Sequence, residues 1–259
     1  MTSKRVSTYY EKSLKTSLKS ERQQMYNYSQ FSAKGYDLSN FRGPLPGTSA
    51  PDFSLALVDG GQARLLDFAG AFLVLEMGSL TCPLFQGRRS TMGALHDMHP
   101  DVSFAVLYVR EAHPGQDIPA HGSAQDKHSC AAQLAADSEK RRVFVDDIEG
   151  TAHQAYGGYP NSVFIVNRNG CLVYASDWNN PAVTGRALSL LKSGKSVNLK
   201  AWFKPVRPSV SLKILRAGGK GSMSDFLRGL PRLIWNNLVL RNIRLLRGKP
   251  VAVAPDTLC

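Results

Sequence analysis

The sequence predicts an α/β domain built on one sheet that mixes parallel and antiparallel strands. Three observations carry this expectation. Three short apolar runs alternate with stretches of helical character, which demands parallel crossovers. Ahead of them an alternating run ends at Asp59-Gly60-Gly61, and after them two apolar runs flank an Asn-Gly turn, both of which signal hairpins. With 259 residues, 43% hydrophobic and 20% charged, the chain has the composition of a globular protein, not of a disordered or fibrous one.

Taken in order, the polar stretch 10–31 predicts a surface helix, and Gly43-Pro44-Leu45-Pro46-Gly47 marks a boundary. From Asp52 to Val58 the residues alternate, and with Ala63-Arg64-Leu65-Leu66 they predict an N-terminal β-hairpin. The run Ala71 to Met77 is a buried strand that leads into Gly78-Ser79-Leu80-Thr81-Cys82-Pro83. Pro83 suits the first turn of a helix, because its missing N–H has no helical partner there, and that helix extends to about Met98. Ser103 to Val109 forms the next strand, residues 122–137 a helix, and Val143-Phe144-Val145 a third strand. A short helix near 150–156 precedes Tyr159-Pro160. Ser162 to Val166 then pairs with Cys171 to Tyr174 across Asn167-Arg168-Asn169-Gly170, and residues 182–193 supply a final helix.

The formal net charge of +12 is unevenly spread. Residues 1–50 hold eight Lys and Arg against three acidic residues, residues 51–200 hold 13 against 15, and residues 201–259 hold 11 against two. The expected organisation is a basic N-terminal extension (1–47), a nearly neutral domain (48–195) and a basic C-terminal extension (196–259). A basic charge confined to the flanks argues against specific nucleic-acid binding, which places its basic patch on the folded surface. Residues 223–247 interleave apolar residues with five arginines, predicting one or two amphipathic helices with a break at Pro231. Docking of their apolar face on the domain ranks ahead of contact with an anionic membrane surface or an acidic partner. The most apolar late segment, Leu233 to Leu246, is interrupted by Asn and Arg, and the N-terminus lacks the apolar run of a secretory signal. The expectation is a cytoplasmic protein, with peripheral membrane contact left to the C-terminal tail. Cys82, Cys130, Cys171 and Cys259 show neither disulfide nor metal-ligand spacing, so four thiols, no metal and no bound cofactor are expected.

Cys82 lies between a strand and a predicted helix N-terminus, where unpaired N–H groups and the helix dipole favour a thiolate. Thr81 and Pro83 flank it. Phe85 stands where a dithiol oxidoreductase keeps its second cysteine, which argues against local disulfide exchange. Tyr108-Val109-Arg110-Glu111-Ala112-His113-Pro114 puts a carboxylate and an imidazole at the carboxyl end of a strand, on the same sheet edge as Cys82. His113 is suited to moving a proton, with Glu111 to orient or charge it. A solvated loop pair is the plainer alternative. His121 is a weaker candidate, and His96, His99, His128 and His153 are assigned to surface or structure.

The order Gly78-Ser79-Leu80-Thr81-Cys82-Pro83-Leu84-Phe85, then Tyr108 to Pro114, then Ile118-Pro119-Ala120-His121 with Asp126-Lys127 and Ser129-Cys130-Ala131-Ala132, resembles the iodothyronine deiodinase family. The match runs on through Val145-Asp146-Asp147, Tyr156, Pro160 and the following hairpin, over roughly residues 48–195. The resemblance implies a thioredoxin-like fold with Cys82 at the family's selenocysteine position, Glu111 and His113 in the catalytic loop, and His121 at a further family histidine. It implies reductive removal of iodine from an iodinated aromatic, with an external thiol such as thioredoxin or glutathione as reductant. Pro160 matches a proline that is typically cis in such folds and faces the nucleophile. Leu80 stands where the family has a cysteine, and Asn161-Ser162 where an arginine is expected.

Two further readings stand beside it. In a thiol peroxidase acting on a peroxide substrate, Cys82 forms a sulfenic acid that Cys259 or Cys130 resolves, within one chain or across a homodimer. In a non-enzymatic binding module the fold remains while the tails dock a partner.

Overall fold

The computed structural model describes residues 25–259. The surface helix expected over 10–31 therefore lies mostly outside the described residues. Strand β1 (Ser54–Leu57) pairs antiparallel with β2 (Gln62–Arg64), giving the expected first hairpin. The buried strand is β3 (Phe72–Gly78), followed by helices α1 (Pro83–Gln86) and α2 (Arg89–Met98). Then come β4 (Ser103–Tyr108), α3 (Ala124–Ala136), β5 (Arg142–Val145) and α4 (Thr151–Ala155). The hairpin β6 (Val163–Asn167) and β7 (Leu172–Ser176) and helix α5 (Pro181–Lys192) complete the domain.

The seven strands form one sheet in the order β2-β1-β5-β4-β3-β6-β7. Strands β3, β4 and β5 run parallel, while β6 is antiparallel to β3 and β7 to β6, the thioredoxin-like arrangement. Both faces of the sheet are covered, so the central strands are mostly apolar on both sides, Glu76 of β3 being a buried exception. Leu73, Leu75 and Met77 pack with Leu107, Phe144 and Phe164 on one face, and Phe72 and Val74 with Met92, Phe104 and Ile165 on the other, as the two-residue period of a strand requires.

Three local expectations are corrected. The helix after Pro83 is not continuous to Met98; it breaks at Gly87 and Arg88. There the Gly87 and Arg88 N–H groups bond to Pro83 and Phe85, and the Arg88 side chain turns inward to Asn161 and the Lys204 carbonyl. Pro231 does not break the C-terminal helix. It lies inside α7 (Ser222–Leu233), which continues as a π-helical segment, Ile234–Leu240, and then α8 (Arg241–Arg247). Proline removes one backbone donor, and the wider turns that follow absorb the change of register. Another helix, α6 (Pro208–Ala217), precedes them.

The third correction concerns the cysteines. Cys171 and Cys259 form a disulfide, with Cα atoms 5.7 Å apart across 88 residues of sequence. The C-terminus runs back over the β6–β7 hairpin: Val253 bridges to Val197, and the Asn167 amide donates to the Pro255 and Thr257 carbonyls at 3.0 and 2.8 Å. A chain terminus is thus brought to a residue that spacing does not link. Among the described residues no helix is long and apolar enough to cross a membrane.

Closing a loop of this length stabilises a fold chiefly by restricting the unfolded chain. Cys259→Ser is expected to lower the unfolding free energy by about 2–4 kcal/mol. In urea titrations a phosphine reductant should lower the wild-type midpoint to that of the variant and leave the variant unchanged.

Candidate active site

Strand β3 ends at Gly78, and the chain bends through Ser79 to Thr81 before Cys82 caps α1 in an extended conformation. Pro83 fixes the first helical residue. The parallel neighbour β4 ends beside this turn, since Gly78 pairs with Tyr108, so the loop after β4 faces the loop after β3. A single carboxylate stitches the two. Glu111 accepts hydrogen bonds from the Thr81 N–H at 2.8 Å and the Thr81 hydroxyl at 2.6 Å, and from the Tyr108 hydroxyl. His121 Nε2 lies 3.4 Å from its other oxygen. Burial by itself raises the carboxyl pKa, but the nearby His121 and the hydrogen bonds from Thr81 and Tyr108 outweigh it and hold the group below its ordinary range.

The expected pairing of Glu111 with the His113 ring is not what forms. Among the described residues, every hydrogen bond of Glu111 goes elsewhere, and His113 is tied to it only through Thr81, whose Oγ1 accepts from the His113 N–H at 3.0 Å. The His113 ring lies between Phe31 and Phe226, with centroids 4.2 and 5.4 Å away. Burial pushes the imidazole down to about 3, against the pull of Glu111, so it is neutral at pH 7. Among the described residues its buried Nδ1 has no hydrogen-bond partner.

Cys82 and His113 share a cavity of about 330 Å³, together with Pro160. Its walls come from all parts of the chain, including Phe31, Trp178, Phe203 and Phe226. The flanking regions therefore complete the cavity: Tyr28 of the N-terminal segment donates to the Ala112 carbonyl at 2.9 Å, and Ser222 of α7 donates to the His113 carbonyl at 3.0 Å. The apolar face of α7 is docked, as the favoured reading has it, through Phe226, Leu230 and Leu233.

Cys82 is only 2% exposed, and burial pushes its thiol up to about 12. The Leu84 and Phe85 N–H groups and the Arg88 guanidinium work the other way, while Glu76 adds to the rise. The expected thiolate is thus not the resting form, because α1 has only four residues and the apolar cavity removes the water that would solvate a charge. The Tyr159–Pro160 bond is trans, contrary to the cis form implied by the resemblance. Pro160 nonetheless faces the cavity, with the Tyr159 carbonyl accepting from Ser162 at 3.1 Å and the Tyr159 hydroxyl bonded to Asp37. Cys259 is unavailable as a resolving thiol, since it is paired with Cys171. Cys130 is a free, half-buried thiol on α3 beside Glu111, and burial pushes it up to about 11.

Arg88 and the flanking aromatic residues carry much of this arrangement and were not singled out by the sequence. The only signals were a basic residue six positions after Cys82 and isolated aromatics in basic, polar flanks. Arg88 reaches Asn161, just after Pro160, and stacks over Trp178 at 4.8 Å, so a guanidinium arrives beside the facing proline from another element.

A thioredoxin-like sheet with a single buried cysteine capping the helix after its interior strand β3 defines a candidate one-thiol redox site. A family model for iodothyronine deiodinase matches residues 2–179, and the chain belongs to that family. Thyroxine 5-deiodinase from Ovis aries is 31% identical over 153 residues, 54% of this chain and 52% of that protein. The Homo sapiens protein of the same name is also 31% identical, over 54% of this chain and 50% of its own length. The chain thus spans about half the length of the curated relatives it matches. A solved structure of an uncharacterised conserved protein from Geobacillus kaustophilus aligns with 59% of this chain and 82% of its own, at 21% identity and a TM-score of 0.45.

With the thiol near 12, the thiolate fraction rises about tenfold per pH unit throughout the neutral and mildly alkaline range. Alkylation of the Cys82 peptide by iodoacetamide, followed by mass spectrometry, should therefore climb from pH 7 to 10 with no plateau. A plateau near neutrality would contradict the resting state described here. Glu111→Gln puts an amide where three donors converge. Urea unfolding should show a loss of about 2–3 kcal/mol, the cost of leaving buried partners of a charged group unsatisfied.

Proposed function

We propose that the chain is a cysteine-dependent, deiodinase-like oxidoreductase that removes iodine reductively from a small iodinated aromatic. The observation that carries this reading is the placement of Cys82 and His113 on one aromatic-walled cavity. The relatives named thyroxine 5-deiodinase point to an iodinated ring as the occupant. Iodine is soft and polarisable, and a soft thiolate is suited to attacking it.

In the first step the Cys82 proton passes to the uncharged His113 ring and the sulfur forms a bond to iodine. The carbon–iodine bond breaks, its electron pair stays on carbon, and a proton delivered from the side of His113 makes the dehalogenated ring. Cys82 is left as a sulfenyl iodide. An external thiol then attacks that sulfur, releasing iodide and a proton and leaving a mixed disulfide. A second thiol restores the Cys82 thiol, so one iodoaromatic and two thiols give the reduced ring, one disulfide, iodide and a proton. The step opposed by burial is thiolate formation, and Arg88 with the Leu84 and Phe85 N–H groups offsets part of that cost. Glu111, Thr81 and Tyr108 hold the loop that carries His113. Thioredoxin, glutathione or a similar thiol fits the role of reductant.

The test is release of iodide from an iodophenol with dithiothreitol as reductant. Cys82→Ser should abolish release, and His113→Ala should lower kcat about 100-fold or more, the usual contribution of a positioned acid. Iodide release that survives Cys82→Ser would overturn the assignment.

A further inference from the structure

We propose that Glu111, His121 and Cys130 form a binding site for a zinc-type divalent cation at the base of the loop between β4 and α3. The three residues come from separate stretches: Glu111 follows β4, His121 precedes α3, and Cys130 lies on α3. Their ligand atoms lie within 4.8 Å of one another.

The geometry of His121 points to an ion. Its side chain is buried, and among the described residues neither ring nitrogen has a hydrogen-bond partner. Nε2 nevertheless faces Glu111 Oε1 at 3.4 Å, outside hydrogen-bond alignment. Two such atoms at this distance, aimed past each other, suit a shared ligand. Tetrahedral zinc with bonds of about 2.0–2.3 Å sets its ligand atoms about 3.3–3.8 Å apart. The nitrogen and oxygen already have that spacing, and the Cys130 sulfur needs to close by no more than about 1 Å.

The chemistry of the set agrees. A thiolate, a carboxylate and a neutral imidazole carry two negative charges between them, which a divalent cation cancels in a buried place. Sulfur and imidazole favour zinc over magnesium or calcium, which take oxygen ligands. Cys130 is half-buried, so it offers a way in from solvent. Binding displaces its proton, as coordination of a thiol does. The Tyr108 hydroxyl already donates to Glu111, and water or this phenol would complete the coordination. An ion there would tie the loop that carries His113 to α3.

Cobalt(II) reports on such a site without reference to turnover. Metal-free, full-length protein with the Cys171–Cys259 disulfide intact, titrated with cobalt, should develop the visible bands of tetrahedral cobalt and a near-ultraviolet thiolate charge-transfer band, saturating at one ion per chain. Zinc should displace them. Cys82→Ser should keep both features, and Cys130→Ser should lose the charge-transfer band. His121→Gln, a second variant in case Cys130→Ser does not fold, should weaken binding by more than about tenfold, the effect that even loss of an outer-sphere partner produces. Absence of the bands from the wild type overturns the proposal. So does a charge-transfer band that persists in Cys130→Ser or vanishes in Cys82→Ser.

Discussion

A fully buried carboxylate in the interior strand β3, Glu76, sets the positions of most of what surrounds Cys82. A charge in the middle of a sheet is tolerated only with partners, because an unpaired one costs several kcal/mol. Arg141 supplies one partner at 2.6 Å and is itself held by Glu139 at 2.7 and 2.8 Å. Asn161 and Asn179 donate from the other side. Each partner fixes a different loop: Arg141 the entrance to β5, Asn161 the turn after Pro160, and Asn179 the start of α5, where it also accepts from Thr184. Asn161 in turn receives Arg88, which interrupts the helix after Cys82. The same carboxylate works against ionisation of Cys82, so the anchor of the fold opposes the chemistry of the site and Arg88 offsets it.

The second constraint is enclosure. The cavity is walled by the N-terminal segment and by α7, and polar contacts add to the apolar ones that hold both flanks. Asp177 at the end of β7 is paired with Arg241 of α8 at 2.5 Å and also with Arg244, and Arg241 reaches the Ala201 carbonyl at 2.9 Å. On the other flank Arg110 lies over Tyr26, Tyr28 and Tyr36, and the Asn237 side chain accepts from the Leu38 N–H at 3.1 Å. The two flanks thus meet over the cavity through polar contacts with defined geometry. Excluding water raises the Cys82 thiol, and it also strengthens every charge interaction made once the thiolate forms.

Much of the domain was legible in the sequence because its signals are local. Alternation before Asp59-Gly60-Gly61, the continuous apolar run of β3 and the Asn-Gly turn after β6 each specify an element without reference to distant residues. What was not legible depends on distant partners. The break at Arg88 follows from an acceptor at Asn161, the disulfide joins residues 88 apart, and the resting thiol depends on rings contributed by both flanks. The family resemblance located Cys82, Glu111, His113 and His121 along the chain. It carried no information on Arg88, nor on the packing of Phe31 and Phe226 against the imidazole.

The spacing of Glu111 and His113 shows why sequence proximity misjudges a division of labour. The expectation of a carboxylate–imidazole pair rests on both groups lying at the carboxyl end of a strand, and two residues apart they would share a side only if the strand continued. The chain leaves β4 at Tyr108 and bends at Arg110, Ala112 and His113, so the alternation ends before the pair is reached. Glu111 turns toward Thr81 and Tyr108, and His113 turns into the cavity. One residue therefore carries the charge that holds two loops together, and the other presents an uncharged ring to the space beside the thiol. Had both faced the cavity, a carboxylate next to Cys82 would have raised the thiol further still. Keeping that charge behind Thr81 leaves the guanidinium of Arg88 and the N–H groups of Leu84 and Phe85 as the polar groups that favour a thiolate at Cys82.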